Sequence, residues 1–148
     1  MLRYLFLFLI PWVVTCAIAQ DKVNFQSEAD NIITLRVTAY GKKAENAIVN
    51  AERAAIQAIL FRGIPGSKIV SNPLVGTDEI EIQKEHSDYF SSFFQNGRYR
   101  SFVLSNVPVS DFGKDITKKK CITVDVKINI QGLRIDLEKQ GVIRKFGF

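Results

Sequence analysis

The strict alternation of apolar and polar residues over 122–130 is the feature that most constrains the fold of this chain. The apolar positions are Ile122, Val124, Val126, Ile128 and Ile130. A period of two is typical of a β-strand with one buried face. A second alternating segment covers residues 31–40 and ends at Gly41. A third segment, 99–109, is predicted to form a hairpin with 122–130, and its Pro108 indicates an edge position or a strand end. These strands need a layer that covers their apolar face.

A helix predicted over residues 43–62 supplies that layer. Its main apolar stripe is mostly alanine and contains Ala44, Ala47, Ile48, Ala51, Ala54, Ala55, Ala58 and Ile59. Small side chains at this spacing allow a helix to lie close to a sheet. A second stripe lies about 140° round the helix and contains Val49, Ile56 and Leu60. Because Glu45 and Glu52 separate the two stripes, we expect the second stripe to meet another surface, either the next helix or a second molecule.

The connection over residues 63–77 is rich in glycine and proline, and its length makes a functional loop worth considering. Thr77 is predicted to cap a second helix that continues to Gln95. That helix has an aromatic face, which is either core or an exposed binding patch. The possible interaction surface therefore comprises Val49, Ile56, Leu60, Tyr89, Phe90, Phe93 and Phe94. A short last helix is expected near residues 133–140.

Together these elements predict one α+β domain over residues 31–148. A long alanine-rich helix packs on a small, mainly antiparallel sheet of three or four strands, in the order β-α-α-β-β-α. Residues 20–30 are polar and are predicted to form a flexible lead.

Residues 1–19 have the pattern of a cleavable signal peptide. Arg3 precedes an apolar run, and a small-x-small site ends at Ala19. We therefore expect export to the periplasm or cell envelope, with a mature N-terminus at Gln20. Cys16 follows a segment that loosely imitates a lipidation site, and acylation there would instead anchor the domain to a membrane.

Composition and motifs favour no enzymatic chemistry. The net charge of +5 is spread along the chain, which suits solubility or loose attraction to anionic polymers. His86 is the only histidine, and a metal site would need several converging ligands. A serine or cysteine triad would have His86 as its one candidate base, but the sequence contains no nucleophile elbow such as Gly-x-Ser-x-Gly. Cys121 follows three lysines but is expected to be structural. The glycine-containing segment 63–68 follows a helix rather than a strand, unlike a phosphate-binding loop. We expect no catalytic, cofactor-binding or metal-binding residues, no cofactor, and no nucleic-acid partner.

The stretch from Leu35 to Gly41, followed by Asn46 and the alanines at 47, 51, 54, 55 and 58, resembles the start of LPP20-type lipoproteins. The N-terminal domains of FlgT-type flagellar assembly proteins are similar. The resemblance covers about 30 residues. It implies an exported α+β domain of a bacterial envelope that acts by association rather than by catalysis.

Two functional hypotheses follow. The first is a non-enzymatic envelope or periplasmic protein that associates with itself or joins a larger surface assembly. The alternative is a binding module for an envelope glycan, lipid or peptide, which would use the aromatic helix and the 63–77 loop. Membrane contact is expected only if Cys16 is lipidated.

Overall fold

The computed structural model describes residues 21–145, which form a five-stranded antiparallel sheet and four α-helices. The predicted α+β class is confirmed. The strands are β1 (Lys22–Ala29), β2 (Ile32–Tyr40), β3 (Val103–Pro108), β4 (Gly113–Lys114) and β5 (Lys120–Asn129). The helices are α1 (Ala44–Phe61), α2 (Glu79–Glu85), α3 (Ser87–Phe90) and α4 (Ile130–Lys139). The predicted signal peptide and Cys16 lie outside the described residues.

The sheet has the spatial order β1-β2-β5-β3, and the short β4 pairs with the start of β5. Its two central strands pair so that Leu35 faces Val126 and Val37 faces Val124. Every second residue of β2 and β5 is buried, as their alternation predicts. The opposite face of the sheet is polar and half-buried, and on it Arg36 and Asp125 form two hydrogen bonds of 2.8 Å.

The prediction of a flexible lead over residues 20–30 is wrong for the segment that forms β1. This strand pairs antiparallel with β2 through a two-residue turn, Asp30-Asn31. Both turn residues have positive φ, 51° and 61°, which is the requirement of a type I′ hairpin and suits Asp and Asn. A β-bulge between Phe25 and Ser27 shifts the register, so the apolar alternation of this strand stops after two positions. The strand therefore carries a weak sequence signal.

Helix α1 packs against the apolar face of the sheet, mainly against β2 and β5. Ala47, Ala51 and Ala55 are fully buried in this contact. Gly41 lies at the turn from β2 into α1. Only glycine fits there, because a Cβ atom would lie 2.6 Å from the backbone nitrogen of Ala47. The close approach of helix and sheet thus depends on small residues at both the contact and the turn.

The segment predicted as one helix up to Gln95 is divided. His86 has φ −111° and ψ 43°, outside the helical region, so α2 ends there and α3 begins. The N-cap of α2 is Asp78 rather than Thr77, and its carboxylate accepts a 3.0 Å hydrogen bond from Glu81 N. A π-helical turn over 91–95 and a 3₁₀ segment over 98–102 follow. Because of these turns, β3 begins at Val103. The observed element order differs from the predicted one in three ways: β1 and β4 are additional strands, and the second predicted helix is divided.

Candidate functional site

Most of the predicted interaction surface lies in the hydrophobic core. The buried members are Ile56, Leu60, Phe90, Phe93 and Phe94, whereas Val49 and Tyr89 are half-buried. Of the alternatives left open for these residues, packing within the domain is the one observed for the five buried side chains, and they offer no exposed binding patch. The physical reason is that the aromatic segment packs against α1, where the ring centroids of Phe61 and Phe90 are 5.7 Å apart. The guanidinium of Arg53, also on α1, lies 5.1 Å from the ring centroid of Phe94.

The 63–77 connection is tied to the rest of the domain at several points. The backbone N–H groups of Leu74 and Val75 donate 3.0 Å hydrogen bonds to the carbonyls of Ile59 and Leu60 at the end of α1. At its other side, buried Ser67 donates a 2.6 Å hydrogen bond to Glu28 of β1, and this bond holds the pKa of Glu28 below its usual value. The connection completes the fold, since it satisfies carbonyls that a helix end leaves unpaired.

A polar cleft of about 590 Å³ lies around Tyr89, Arg98 and His86. Arg98 donates two 2.9 Å hydrogen bonds to the carboxylate of Asp136 on α4, and Tyr89 Oη donates a third of 2.8 Å. Burial, followed by the hydrogen bond to Asp136, raises the pKa of Tyr89 far above its usual value. Burial alone would raise the pKa of Asp136, but the hydrogen bonds from Arg98 and Tyr89 lower it overall.

The polar side chains of this cluster bind one another and hold three elements together. Each polar group has a partner within the cluster, and a phenol with a raised pKa is a poorer nucleophile and base at neutral pH. The three side chains join α3, the 3₁₀ segment and α4. Among residues 21–145, no three His, Cys, Asp or Glu side chains converge as a metal site would require.

A second opening, a groove of about 420 Å³, runs between α1 and β3. It is lined on the helix side by Glu45, Ile48, Val49 and Glu52, and on the strand side by Arg100, Val103, Leu104, Ser105 and Asn106. Four of these nine residues are aliphatic, and the charged groups are two carboxylates and one guanidinium. Val49, predicted to face a second surface, lies in this groove between α1 and β3.

Glu52 forms the floor of this groove and is the charged residue that sequence reasoning misplaced. Its exposed fraction is 6%, so this charge does not keep the two stripes on different surfaces, as its position between them predicted. Asn106 Nδ2 donates a hydrogen bond to Glu52 Oε1, and Arg100 Nε lies 3.3 Å from Oε2. The Arg100 contact has ion-pair distance without hydrogen-bond geometry, so Oε2 accepts no hydrogen bond. The floor therefore holds a buried carboxylate whose Oε2 is charge-paired with Arg100 without a hydrogen bond.

Strand β3 forms the outer wall of the groove, and none of the described strands pairs with its outer side. The amide of Val109 donates to Thr123 of β5 at 2.8 Å, which fixes the direction of the alternating backbone groups. By this alternation Asn106 and Pro108 direct their backbone groups outward, and Pro108 has no N–H to donate. Leu104 and Val107 on the same strand are 50% and 54% exposed. The edge offers a short ladder of backbone groups beside apolar side chains.

These features define a two-layer α+β domain with a groove that runs beside its edge strand β3. Compared with family models, curated proteins and solved structures, the chain matches none. Within residues 21–145, none of the helices has the length and apolar character needed to cross a membrane.

Proposed function

We propose that this chain is a non-enzymatic, exported envelope protein that acts by association, and that the groove between α1 and β3 receives an extended segment of a partner protein. The observation that carries the proposal is the open edge of β3 beside a groove whose floor holds a carboxylate oxygen without a hydrogen bond. The signal-like N-terminus and the resemblance to envelope lipoproteins support the compartment.

An extended segment suits this site because its backbone can pair with the outward groups of β3, as peptides do when they add a strand to a sheet edge. Its side chains alternate between the two faces of the sheet. Those on the helix side would cover Ile48, Val49 and Leu104, which the groove leaves partly open. Strand addition therefore uses both the unpaired backbone and the apolar walls.

The charge of the groove selects the chemistry of the guest. Glu45 and Glu52 carry two negative charges, and Arg100 supplies one positive charge. A Lys or Arg side chain of the guest would balance this difference and would bring a donor towards Glu52 Oε2. We therefore expect the partner segment to combine alternating apolar residues with one basic residue.

A peptide selection tests this proposal. Random peptides displayed on phage are selected against the immobilised protein, and the affinity of a selected peptide is measured by fluorescence anisotropy. We expect selected sequences with alternating apolar residues and a basic residue. Leu104→Lys should lower their affinity by about tenfold or more, because the new lysine repels the basic residue of the peptide and an apolar contact is lost.

Ile80→Lys is the matched control, because Ile80 is 85% exposed on α2 and lies outside the groove. The control should bind as the wild type does. Equal affinity in the Leu104 variant, or selected sequences without the basic and apolar pattern, would contradict the proposal. A wild-type oligomer that Leu104→Lys converts to a folded monomer would show that the guest is a second copy instead.

A further inference from the structure

The turn that connects β4 to β5 is held in one shape by a single carboxylate. Asp115 Oδ1 accepts hydrogen bonds from Thr117 N at 2.8 Å, Thr117 Oγ1 at 2.6 Å and Lys119 N at 3.1 Å. Its other oxygen accepts a 2.9 Å bond from the hydroxyl of Tyr40 on β2. The Thr117 hydroxyl contributes most to lowering the pKa of Asp115 to about 2. Two backbone hydrogen bonds of 3.0 Å, Asp115 N to Lys119 O and Lys118 N to Asp115 O, close the turn.

This ordered turn presents an isoleucine that no other part of the described chain covers. Ile116 is completely exposed, at 101% of the reference area, and exceeds every other large apolar side chain of residues 21–145 in exposure. A large apolar side chain in water is unfavourable, and an ordered turn cannot fold it away. Its position at the tip of a hairpin leaves it accessible to a planar surface.

Lysines flank this side chain in the sequence. Lys114, Lys118 and Lys120 are exposed and lie within four residues of Ile116. The segment 111–120 contains four lysines and two aspartates. One of those aspartates, Asp115, directs its carboxylate into the turn, as its hydrogen bonds show. The tip therefore combines one projecting apolar side chain with exposed lysines on both sides of it in the chain.

From this combination we infer that the β4–β5 tip docks on an anionic lipid bilayer, with Ile116 inserted at the boundary of the acyl chains and the lysines among the headgroups. Apolar side chains with flanking cations bind membrane interfaces because burial of the apolar side chain and attraction of the cations to anionic headgroups both favour binding. An anionic polymer would satisfy the lysines but offers no apolar phase for Ile116, so the lipid surface is the better match. This inference does not rest on the groove between α1 and β3, which belongs to other elements.

Vesicle binding tests the inference on the chain as recovered after export. Co-sedimentation is measured with vesicles of phosphatidylcholine alone and of phosphatidylcholine mixed with anionic phosphatidylglycerol. We expect clear binding to the anionic vesicles and much weaker binding to the neutral ones. Ile116→Ser should lower the partition coefficient on anionic vesicles about tenfold or more. Lys118→Ala should lower it about fivefold, and this loss should shrink at high salt.

Ile80→Ser is the control, since it removes an isoleucine of similar exposure from α2. It should bind as the wild type does. Neither Ile116→Ser nor Ile80→Ser should change the thermal midpoint of unfolding, because neither isoleucine is buried. Equal binding to neutral and anionic vesicles, wild-type binding by Ile116→Ser, or no binding by the wild type would each overturn the inference. None of these results bears on peptide binding at the groove.

Discussion

At the residue scale, two bidentate Arg–Asp pairs with the same chemistry stand in different surroundings. Arg98 and Asp136 are 34% and 18% exposed and share a third partner, Tyr89. Arg36 and Asp125 are 42% and 24% exposed, lie on the open face of the sheet, and have no such third partner in their contact. Hydrogen bonds to charged groups stabilise more when water is excluded, so the two pairs should differ in their contribution.

We expect Asp136→Asn to lower the free energy of unfolding by about 1–3 kcal/mol at neutral pH, since Arg98 then loses its charged acceptor. Asp125→Asn is the comparison and should cost less than about 1 kcal/mol. Urea unfolding followed by circular dichroism measures both losses. Equal losses would show that the surroundings of the two pairs do not matter.

The same variant has a predictable pH dependence. The pKa of Asp136 is lower in the folded state than its ordinary value. Its charged form therefore stabilises the fold fully above the pKa of the unfolded chain, about 3.9. This contribution is lost as the pH falls through the folded-state value. The stability difference between wild type and Asp136→Asn should thus be constant near neutral pH and should shrink below about pH 4. A difference that grows on acidification would have the wrong sign.

At the element scale, the 63–77 connection depends on the conformation of its first residue. Gly63 has φ +75°, and a Cβ atom there would overlap the carbonyl oxygen of Ser71. Gly97, before the 3₁₀ segment, has nearly the same φ, +72°, but a Cβ atom there would meet nothing within 4 Å. Substituting Gly63 and Gly97 in turn therefore separates the free-energy cost of the left-handed conformation from the cost of a steric clash.

Gly97→Ala should lower the free energy of unfolding by about 1–2 kcal/mol, the cost of the left-handed conformation for an L-residue. Gly63→Ala should cost at least about 1 kcal/mol more, because the connection must also shift away from the new methyl group. Chemical unfolding of the two variants measures the difference. Identical losses would mean that the connection adapts freely and is not fixed as its hydrogen bonds imply.

Sequence patterns predicted those elements whose periodicity is uninterrupted. The regular alternation of β2 and β5 placed both strands within one or two residues of their observed ends. By contrast, β1 was missed because its bulge breaks the alternation, and the break at His86 has no glycine or proline to signal it. Glu52 was misplaced because its partner Asn106 is 54 residues away in the sequence. Contacts of that kind exist only once the chain has folded, so a local pattern cannot report them.

At the scale of the whole molecule, both apolar stripes of α1 contribute to one core. Ile56 of the second stripe is as fully buried as Ala51 and Ala55 of the first. Burial of Glu52 between them is possible because Asn106 and Arg100 contact its carboxylate. The fold therefore needs no second molecule to cover this helix.

We expect Ile56→Ala to destabilise the protein by about 2–5 kcal/mol through formation of a cavity, with an unchanged native mass. Val49→Ala on the same stripe should cost only about 1 kcal/mol, since Val49 is half-buried at the groove. Thermal melts measure the losses, and light scattering measures the mass. A change of mass in Ile56→Ala would show that the stripe joins subunits after all.

Both outer strands of the sheet contain an interruption, and this limits how far the molecule can polymerise. The register shifts between Phe25 and Ser27 on β1 and between Val103 and Ser105 on β3, and Pro108 removes one donor from the β3 edge. A fibre of stacked copies would need two long, regular edges on every molecule, one to receive a neighbour and one to offer the next. With both edges broken, we expect a strand added to β3 to end the growth of the sheet, so that each molecule binds one guest.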